Sequence, residues 1–255
     1  MNDDPEKEII VPAIKGTTSI LHSALKVSTI RRFVVTSSAV AVIPTQALNE
    51  GDTTTLYSAD SRINPLPSAP WQNTESAYNA SKALALSATD RFLQDFKPHF
   101  SIVSVMPGYV IGRNELVIRA EDLIKGSNAI PLSIVLGKRM ERARAGIVTD
   151  VRDVARIQVE ALNGERVKAS GNFVLDGENG VIWNDANEIA GKLFPGAVSS
   201  GVLPLGGSIP AVYQKIDGRK TVETFGKLTS YKEVVESVVG QYLELKGKEA
   251  GRKDG

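Results

Sequence analysis

Short apolar runs alternate with helical segments along this chain, and the alternation restricts the folds that it can adopt. The runs lie at residues 31–42, 100–112 and 171–177, and each contains consecutive large apolar side chains. Such continuous runs are typical of strands that are buried on both faces of a parallel sheet. Because helical segments separate them, the sequence predicts an α/β protein with a parallel sheet. The first predicted element is a helix, although a crossover helix normally follows a strand.

Capping residues predict where the main helices begin. Asn73 or Thr74 caps a long helical segment and Asp150 a shorter one. Ser230 has a Glu three residues later, which is the spacing of a capping box. Pro12 is expected to break or kink the first helix. Residues 43–72 show no periodicity and are predicted to form a long loop of the kind that often carries function.

Composition excludes several classes of function. The formal net charge of +1 gives no bulk attraction for nucleic acid or an anionic membrane. The chain has no Cys, which rules out disulfides and thiolate chemistry, and its two His, His22 and His99, are far apart. No apolar run approaches the ~20 residues that span a bilayer. We therefore expect a cytoplasmic, soluble protein without a metal site, a nucleic-acid partner or a membrane partner.

Three features of the sequence are expected to meet at one crevice. Tyr78 and Lys82 lie one turn apart on one face of the long predicted helix. A Thr-Ser-Ser triplet at 36–38 ends the preceding strand, and a Pro-Gly-Tyr-Val-Ile-Gly loop at 107–112 ends the following one. In open α/β sheets ligands bind at the carboxyl ends of the strands. The sequence therefore predicts a ligand site formed by both strand ends and the helix.

These features, in this order, resemble a known enzyme family. The segments that carry the resemblance are DPEKEIIVPAIKGTTSILHSALK, IRRFVVTSS, YNASK, KPHFSIVSVMPGYVIG, TDVRDVA and DGRKTVETFGKLTSYKEVVESVV. They are similar to the extended short-chain dehydrogenase/reductases of the NAD-dependent epimerase/dehydratase superfamily. The likeness is to the group of dihydroflavonol reductases, cinnamoyl-CoA reductases and fungal aldehyde reductases, and it covers nearly the whole chain.

The resemblance implies a reduction of an aldehyde or ketone. Ser38 matches the family's catalytic serine, which holds the substrate oxygen, and Tyr78 matches the general acid that gives it a proton. Lys82 matches the lysine that stabilises the tyrosine's charged form and binds the nicotinamide ribose. Such a network needs neither a metal nor a thiol, which suits this composition.

The resemblance also implies a cofactor and a binding loop. Pro107, Gly108 and Val110 match the loop that lines the nicotinamide, and Tyr78 and Lys82 face the same cofactor. NADPH is the implied cofactor, with NADH as an alternative. The implied partners are a small-molecule carbonyl substrate and, as in many members of the superfamily, a second copy of the chain in a homodimer.

The family's dinucleotide-binding glycine motif does not occur in this sequence. Neither G-x-G-x-x-G nor G-x-x-G-x-x-G is found. In the family this motif follows the first strand, so we expect a partial Rossmann-like doubly wound sheet that lacks its first three strands, roughly 80 to 90 residues. On this interpretation the chain is truncated at its amino terminus and is inactive in the form given.

The sequence predicts that the chain is divided into three parts. Residues 1–112 are expected to be the remainder of the NAD(P)-binding Rossmann domain. Residues 113–245 are expected to complete the sheet and to form a small C-terminal substrate-binding subdomain. Residues 246–255 are expected to be a disordered tail.

Two other functions remain open from the sequence. A nucleotide-sugar epimerase or dehydratase of the same superfamily would recycle its cofactor, whereas a reductase consumes it. A non-catalytic binding remnant would fold without any turnover. Tyr109, Trp183 and Tyr213 are candidates to border a substrate pocket, with core packing the preferred interpretation for Trp183. Asn79 begins a glycosylation sequon, which carries little weight in the middle of a helix.

Overall fold

The computed structural model describes residues 4–178 and 180–251. The helices, in chain order, are α1 (Val11–Leu25), α2 (Thr45–Glu50), α3 (Thr74–Phe96), α4 (Ala120–Leu123), α5 (Ala129–Val135), α6 (Val151–Glu160), α7 (Asp185–Leu193), α8 (Pro195–Ser199), α9 (Arg219–Phe225) and α10 (Tyr231–Gly251). The strands are β1 (Arg32–Thr36), β2 (Asp52–Ser58), β3 (Ser101–Pro107), β4 (Tyr109–Ile111), β5 (Arg144–Ala145), β6 (Val148–Asp150), β7 (Gly171–Leu175), β8 (Ala211–Val212) and β9 (Gln214–Asp217).

The central sheet is parallel, with the strand order β1-β3-β7. Phe33 pairs with Ile102, and Val103 pairs with Gly171. Three two-stranded parallel pairs, β2-β9, β4-β6 and β5-β8, surround it. The predicted α/β architecture with a parallel sheet is therefore confirmed, and all three apolar runs supply strands of the central sheet.

The long helix α3 begins where the sequence predicts. The side chain of Asn73 accepts a hydrogen bond from the Ser76 backbone, and the Ser76 hydroxyl is bonded back to the Asn73 backbone, which completes a capping box. Lys97 adopts a left-handed conformation and ends the helix. Buried alanines, among them Ala77 and Ala80, let α3 lie close to its neighbours, α1 included. This cap and this face fix the position of Tyr78.

The first helix changes type at Pro12 instead of ending there. Residues Glu6–Ile10 form a π-helical turn, and α1 continues directly from it. Proline has no N–H to donate to the preceding turn, and here it occupies the start of α1, where that N–H is not needed. The predicted kink is thus accommodated by a local change in hydrogen bonding.

Residues 43–72 are more ordered than the predicted long loop. They contain α2 and β2, and β2 pairs with β9, a strand more than 150 residues later in the chain. At the other end, α10 continues to Gly251 through residues for which a tail was predicted. The Glu249 carboxylate accepts a hydrogen bond of 2.8 Å from the Ala120 backbone, which holds this last turn against α4. The rest of the predicted tail, residues 252–255, lies outside the described residues.

One large apolar cluster is centred on Trp183, packed among α5, α7 and α10. The Trp183 side chain is fully buried, and its ring nitrogen donates to the Ala145 carbonyl at 3.2 Å. This confirms core packing as the role of Trp183. Across the described part of the chain, none of the helices combines the length and apolar character that crossing a bilayer requires.

Candidate active site

A cleft of about 440 Å³ lies at the carboxyl ends of β1 and β3. It is lined by Thr36 and Ser38 after β1, by the 107–110 loop after β3, and by the first turns of α3. Short segments on its far side, including Ser127 and the region around β5, complete the wall. The expected convergence of two strand ends and the long helix is therefore present in the fold.

Ser38 links the two strand ends. Its side chain is 7% exposed, and its hydroxyl lies 3.5 Å from the Pro107 carbonyl and 3.4 Å from the Val40 backbone nitrogen. Both contacts are at the long limit for hydrogen bonds, so each is weak. The hydroxyl is positioned by the protein but remains able to donate to a ligand oxygen in the cleft.

Tyr78 and Lys82 lie one turn apart on α3, as their spacing predicts. Tyr78 lines the cleft and is 45% exposed. The Lys82 ammonium lies 5.6 Å from the centre of the Tyr78 ring. At this distance the cation and the ring attract each other, and a negative charge on the phenol oxygen would be stabilised.

Lys82 faces a second cavity, of about 230 Å³, between α1, β1 and α3. Thr36 lines both this cavity and the cleft. Burial lowers the pKa of the Lys82 ammonium. Within residues 4–178 and 180–251, neither a hydrogen-bond acceptor nor a carboxylate lies within bonding distance of its nitrogen. A half-buried cation in this state favours a ligand that offers oxygen acceptors.

Gly108 allows the loop after β3 to pass close to its neighbour. A Cβ atom at this position would lie 2.2 Å from the Ile147 carbonyl oxygen, so any side chain would force the backbone to shift. The Gly108 backbone nitrogen donates to the Thr149 hydroxyl at 3.0 Å, and the Tyr109 nitrogen donates to the Ile147 oxygen at 2.7 Å. The loop wall of the cleft is therefore held by backbone contacts.

The structure thus places most, but not all, of the predicted site residues on one cavity. Ser38, Tyr78, Pro107, Gly108 and Val110 all line the cleft. The remaining predicted residue, Lys82, lines the adjoining cavity instead. Thr36 lines both cavities.

Further residues of the cleft were not predicted as site residues. Glu75 and Asn79 line it from α3, and Asn49 and Arg144 line it from other segments. Asn79, Glu75 and the Tyr-Lys pair have the spacing i, i+3, i+4, i+7, so the helical period of α3 was a signal that could have found the first two. Asn49 and Arg144 lie in segments without periodicity and carried no such signal.

The three aromatic residues that the sequence offered as pocket candidates differ in their position relative to the cleft. Tyr109 lines the cleft, and its ring packs edge-to-face on Trp183 with the ring centres 5.7 Å apart. Tyr213 is 50% exposed and is not among the residues that line the cleft. Of the three aromatic residues considered from the sequence, only Tyr109 can contact a ligand there directly.

Comparison with protein-family models gives no match. Comparison with individual proteins does: a ketoreductase of Cercospora beticola is 36% identical over 255 residues, which cover 98% of this chain and 71% of that protein. The chain belongs to the extended short-chain dehydrogenase/reductase family. The resemblance seen in the sequence motifs is thereby confirmed.

Other members of this family are also similar to the chain. An NADPH-dependent methylglyoxal reductase of Saccharomyces cerevisiae is 26% identical over 261 residues, covering 96% of this chain and 73% of that protein. An NAD-dependent epimerase/dehydratase of Alternaria alternata is 36% identical over 163 residues, covering 63% of this chain and 46% of that protein.

The fold agrees with the family assignment. A reductase structure solved for structure-guided engineering against substrate inhibition in asymmetric catalysis matches with a TM-score of 0.78 and 25% identity. The match covers 95% of this short-chain dehydrogenase/reductase chain and 74% of that structure. The Rossmann-like arrangement expected from the sequence is therefore confirmed over almost all of the chain.

Proposed function

We propose that the protein is an NADPH-dependent carbonyl reductase, which converts an aldehyde or ketone into an alcohol. The observation that carries this proposal is the placement of the Ser38 hydroxyl and the Tyr78 phenol on one cleft, with the Lys82 cation one helical turn away. The similarity of the chain to a ketoreductase and to an NADPH-dependent methylglyoxal reductase supports the same conclusion.

The residues present suit the nicotinamide and the adjoining ribose of a reduced nicotinamide nucleotide, whereas the glycine motif that would hold its diphosphate does not occur in this sequence. The partly buried Lys82 ammonium has no protein acceptor among the described residues, and ribose hydroxyls would supply one. Pro107, Gly108 and Val110 would line the nicotinamide, with Gly108 keeping its loop in place. When bound, this cofactor supplies the hydride that the carbonyl carbon accepts.

The chain's own residues manage the charge that then develops on the substrate oxygen. Tyr78 gives its phenolic proton to that oxygen, which completes the alcohol. Lys82 stabilises the phenolate left behind; one positive charge at ~5 Å and an effective dielectric of ~20 contributes at most about 3 kcal/mol, and solvent around the half-exposed Tyr78 reduces this. Ser38 donates a hydrogen bond to the same oxygen and orients the carbonyl.

The proposal concerns this chain joined to the glycine-motif segment that the family places before it, and it is tested by incubating that purified protein with NADPH and a panel of aldehydes and ketones. Loss of the reduced-nicotinamide absorbance and formation of the alcohol are measured together. We expect one molecule of alcohol for each NADPH consumed, and a lower rate with NADH. A protein that binds NADPH and leaves every carbonyl compound unchanged would contradict the proposal.

The similar epimerase/dehydratase of Alternaria alternata favours a second candidate, an isomerisation or dehydration on the same fold. The same assay separates the two, because such an enzyme transforms its substrate without net consumption of the cofactor. A folded protein that neither binds a nicotinamide nucleotide nor turns over a substrate would favour a non-catalytic binding role instead.

We propose that residues 1–112 form the cofactor-facing part of the molecule and residues 113–245 carry its substrate-binding subdomain. In support, the cleft has walls from both segments: Ser38 and Tyr78 belong to the first, Ser127 and Arg144 to the second. Limited proteolysis in the presence of NADPH checks this division, which predicts that the cofactor protects the first segment more strongly.

We also propose that the protein acts in the cytoplasm as a homodimer, with α1 and α3 at the interface. Exposed apolar side chains on these two helices, Ile20 and Phe96, support that surface. Light scattering of the purified protein tests the assembly, and replacement of Phe96 by Glu is expected to yield monomers.

A further inference from the structure

The cleft has an unbalanced charge. Of its lining residues, only Glu75 and Arg144 carry a formal charge at neutral pH. Glu75 is already neutralised, because its carboxylate lies 2.5 Å from the guanidinium of Arg142. The positive charge of Arg144 therefore has no counterpart among the groups that line the cleft.

Arg144 is held in position by its backbone and by one aromatic neighbour. It lies on β5, and its backbone nitrogen donates to the Pro210 carbonyl at 3.1 Å. One terminal nitrogen of its side chain donates to the Tyr109 hydroxyl at 3.3 Å, and the guanidinium carbon lies 6.0 Å from the centre of that ring. The Tyr109 ring in turn packs on the buried Trp183.

Most of the hydrogen-bonding capacity of Arg144 is unused. A guanidinium presents five N–H donors in a planar fork. In the described part of the chain, the Tyr109 hydroxyl is its one side-chain acceptor, and no carboxylate lies within 4.0 Å of it. Arginine side chains that are partly buried in this way are normally paired with an anion, which a planar carboxylate matches in geometry.

We propose that Arg144 binds an anionic oxygen group of the substrate. The substrate class is then a carbonyl compound that also carries a carboxylate or an ionised phenol. This inference rests on the proposed reductase function, and it adds which substrates the reductase prefers. Tyr109 contributes an aromatic face beside the guanidinium, which suits a flat substrate.

The probes are two pairs of aldehydes that differ in charge but little in shape. The first pair is para-formylbenzoate and its methyl ester, and the second is para-hydroxybenzaldehyde and para-methoxybenzaldehyde. Binding to the protein is measured by calorimetry without turnover, and kcat/KM is measured with NADPH. The first pair tests a carboxylate, and the second tests a phenol at a pH above its ionisation.

The variants are Arg144→Met, which removes the positive charge, and Arg144→Lys, which keeps the charge but replaces the planar guanidinium by an ammonium group. Arg139→Met is the matched control, since Arg139 is exposed and does not line the cleft. Circular dichroism and the urea midpoint establish that each variant is folded.

For the wild-type protein and Arg139→Met we expect affinity and kcat/KM to be about tenfold or more higher for the anionic member of at least one pair. A hydrogen bond to a charged group stabilises a complex by enough to produce a difference of this size. We expect Arg144→Met to lose the preference and Arg144→Lys to keep part of it. An equal preference in wild type and Arg144→Met, or none in wild type, would overturn the proposal.

The outcomes also separate this inference from the reductase function. If Arg144 only supports Tyr109, its replacement weakens the charged and neutral probes equally, which overturns the proposal while turnover persists. If no probe is reduced but the anion preference in binding depends on Arg144, the anion site stands and the reductase function is contradicted.

Discussion

Tyr78 is the residue whose role can be tested most directly. Its phenol lines the cleft and is 45% exposed, so it contributes little to the packed core. Removing its hydroxyl oxygen therefore changes the chemistry of the cleft with little effect on the fold. This separation of chemistry from stability makes a single-atom substitution informative.

We expect Tyr78→Phe to lower kcat by about 100-fold or more, with the KM for the carbonyl substrate changed little, because general acid catalysis typically contributes 10²–10⁴-fold. Steady-state kinetics with NADPH measure both constants. Tyr213→Phe is the matched control, since Tyr213 is also half exposed but lies outside the cleft lining. Full turnover by Tyr78→Phe would contradict the role proposed for this phenol.

Residue-level prediction from the sequence worked where local spacing carried the signal. Tyr78 and Lys82 share a helical face by periodicity alone, and Ser38 follows directly from the end of a strand. Arg144 could not be found in this way. It lies on a two-residue strand whose partner, β8, is more than 60 residues later, so its place in the cleft is set by tertiary packing.

At the scale of the elements, the caps and apolar runs predicted the main helices and the central strands. The structure confirms caps at Asn73 and Asp150, and Ser230 and Glu233 form the expected reciprocal contacts. By contrast, β2 was missed. Its burial pattern leaves most side chains exposed, so it has no apolar run, and it exists because of the distant strand β9.

The connection between β3 and β4 is sensitive to substitution at Gly108. We expect Gly108→Ala to destabilise the protein by about 1–3 kcal/mol, as overpacking does, because its Cβ would meet the Ile147 carbonyl at 2.2 Å. Urea unfolding measures the change. The cleft should be distorted as well, so NADPH affinity is expected to fall in parallel.

Gly247→Ala is the control for that substitution. Gly247 is exposed on α10, and a Cβ there would meet nothing within 4 Å. Alanine favours a helix over glycine by about 0.5–1 kcal/mol, so this variant should be slightly more stable than the wild type. Equal effects from the two substitutions would argue against the close approach at Gly108.

At the scale of the whole molecule, the strands of the central sheet pack in apolar clusters separate from the one around Trp183, a division that no local pattern predicts. Within the described residues β1 pairs only with β3, so the sheet has three strands. The carboxyl end of β7 lies beside α9, and Phe173 and Leu175 of β7 pack with Phe225 there. A buried carboxylate, Asp176, occupies that position.

Asp176 is 4% exposed, and one of its oxygens has no hydrogen-bond partner among the described residues. Burial raises its pKa from 3.8 to about 6, while backbone hydrogen bonds from Gly180 and Glu178 oppose the increase. The folded protein therefore holds this proton more tightly than the unfolded chain does. As the pH rises from about 4 through about 6, the unfolded chain ionises first, and the protein loses stability.

The difference between the two pKa values corresponds to about 3 kcal/mol at neutral pH, as an upper limit. Asp176→Asn keeps an acceptor oxygen for the backbone but cannot ionise. We therefore expect this variant to be more stable than the wild type at about pH 7, by up to that amount, and the advantage to shrink toward about pH 4. Urea unfolding across this range measures the effect, with Asp95→Asn, at an exposed position of α3, as the control. If wild type and Asp176→Asn lose stability in parallel as the pH rises, the carboxyl group of Asp176 does not limit the stability of the sheet.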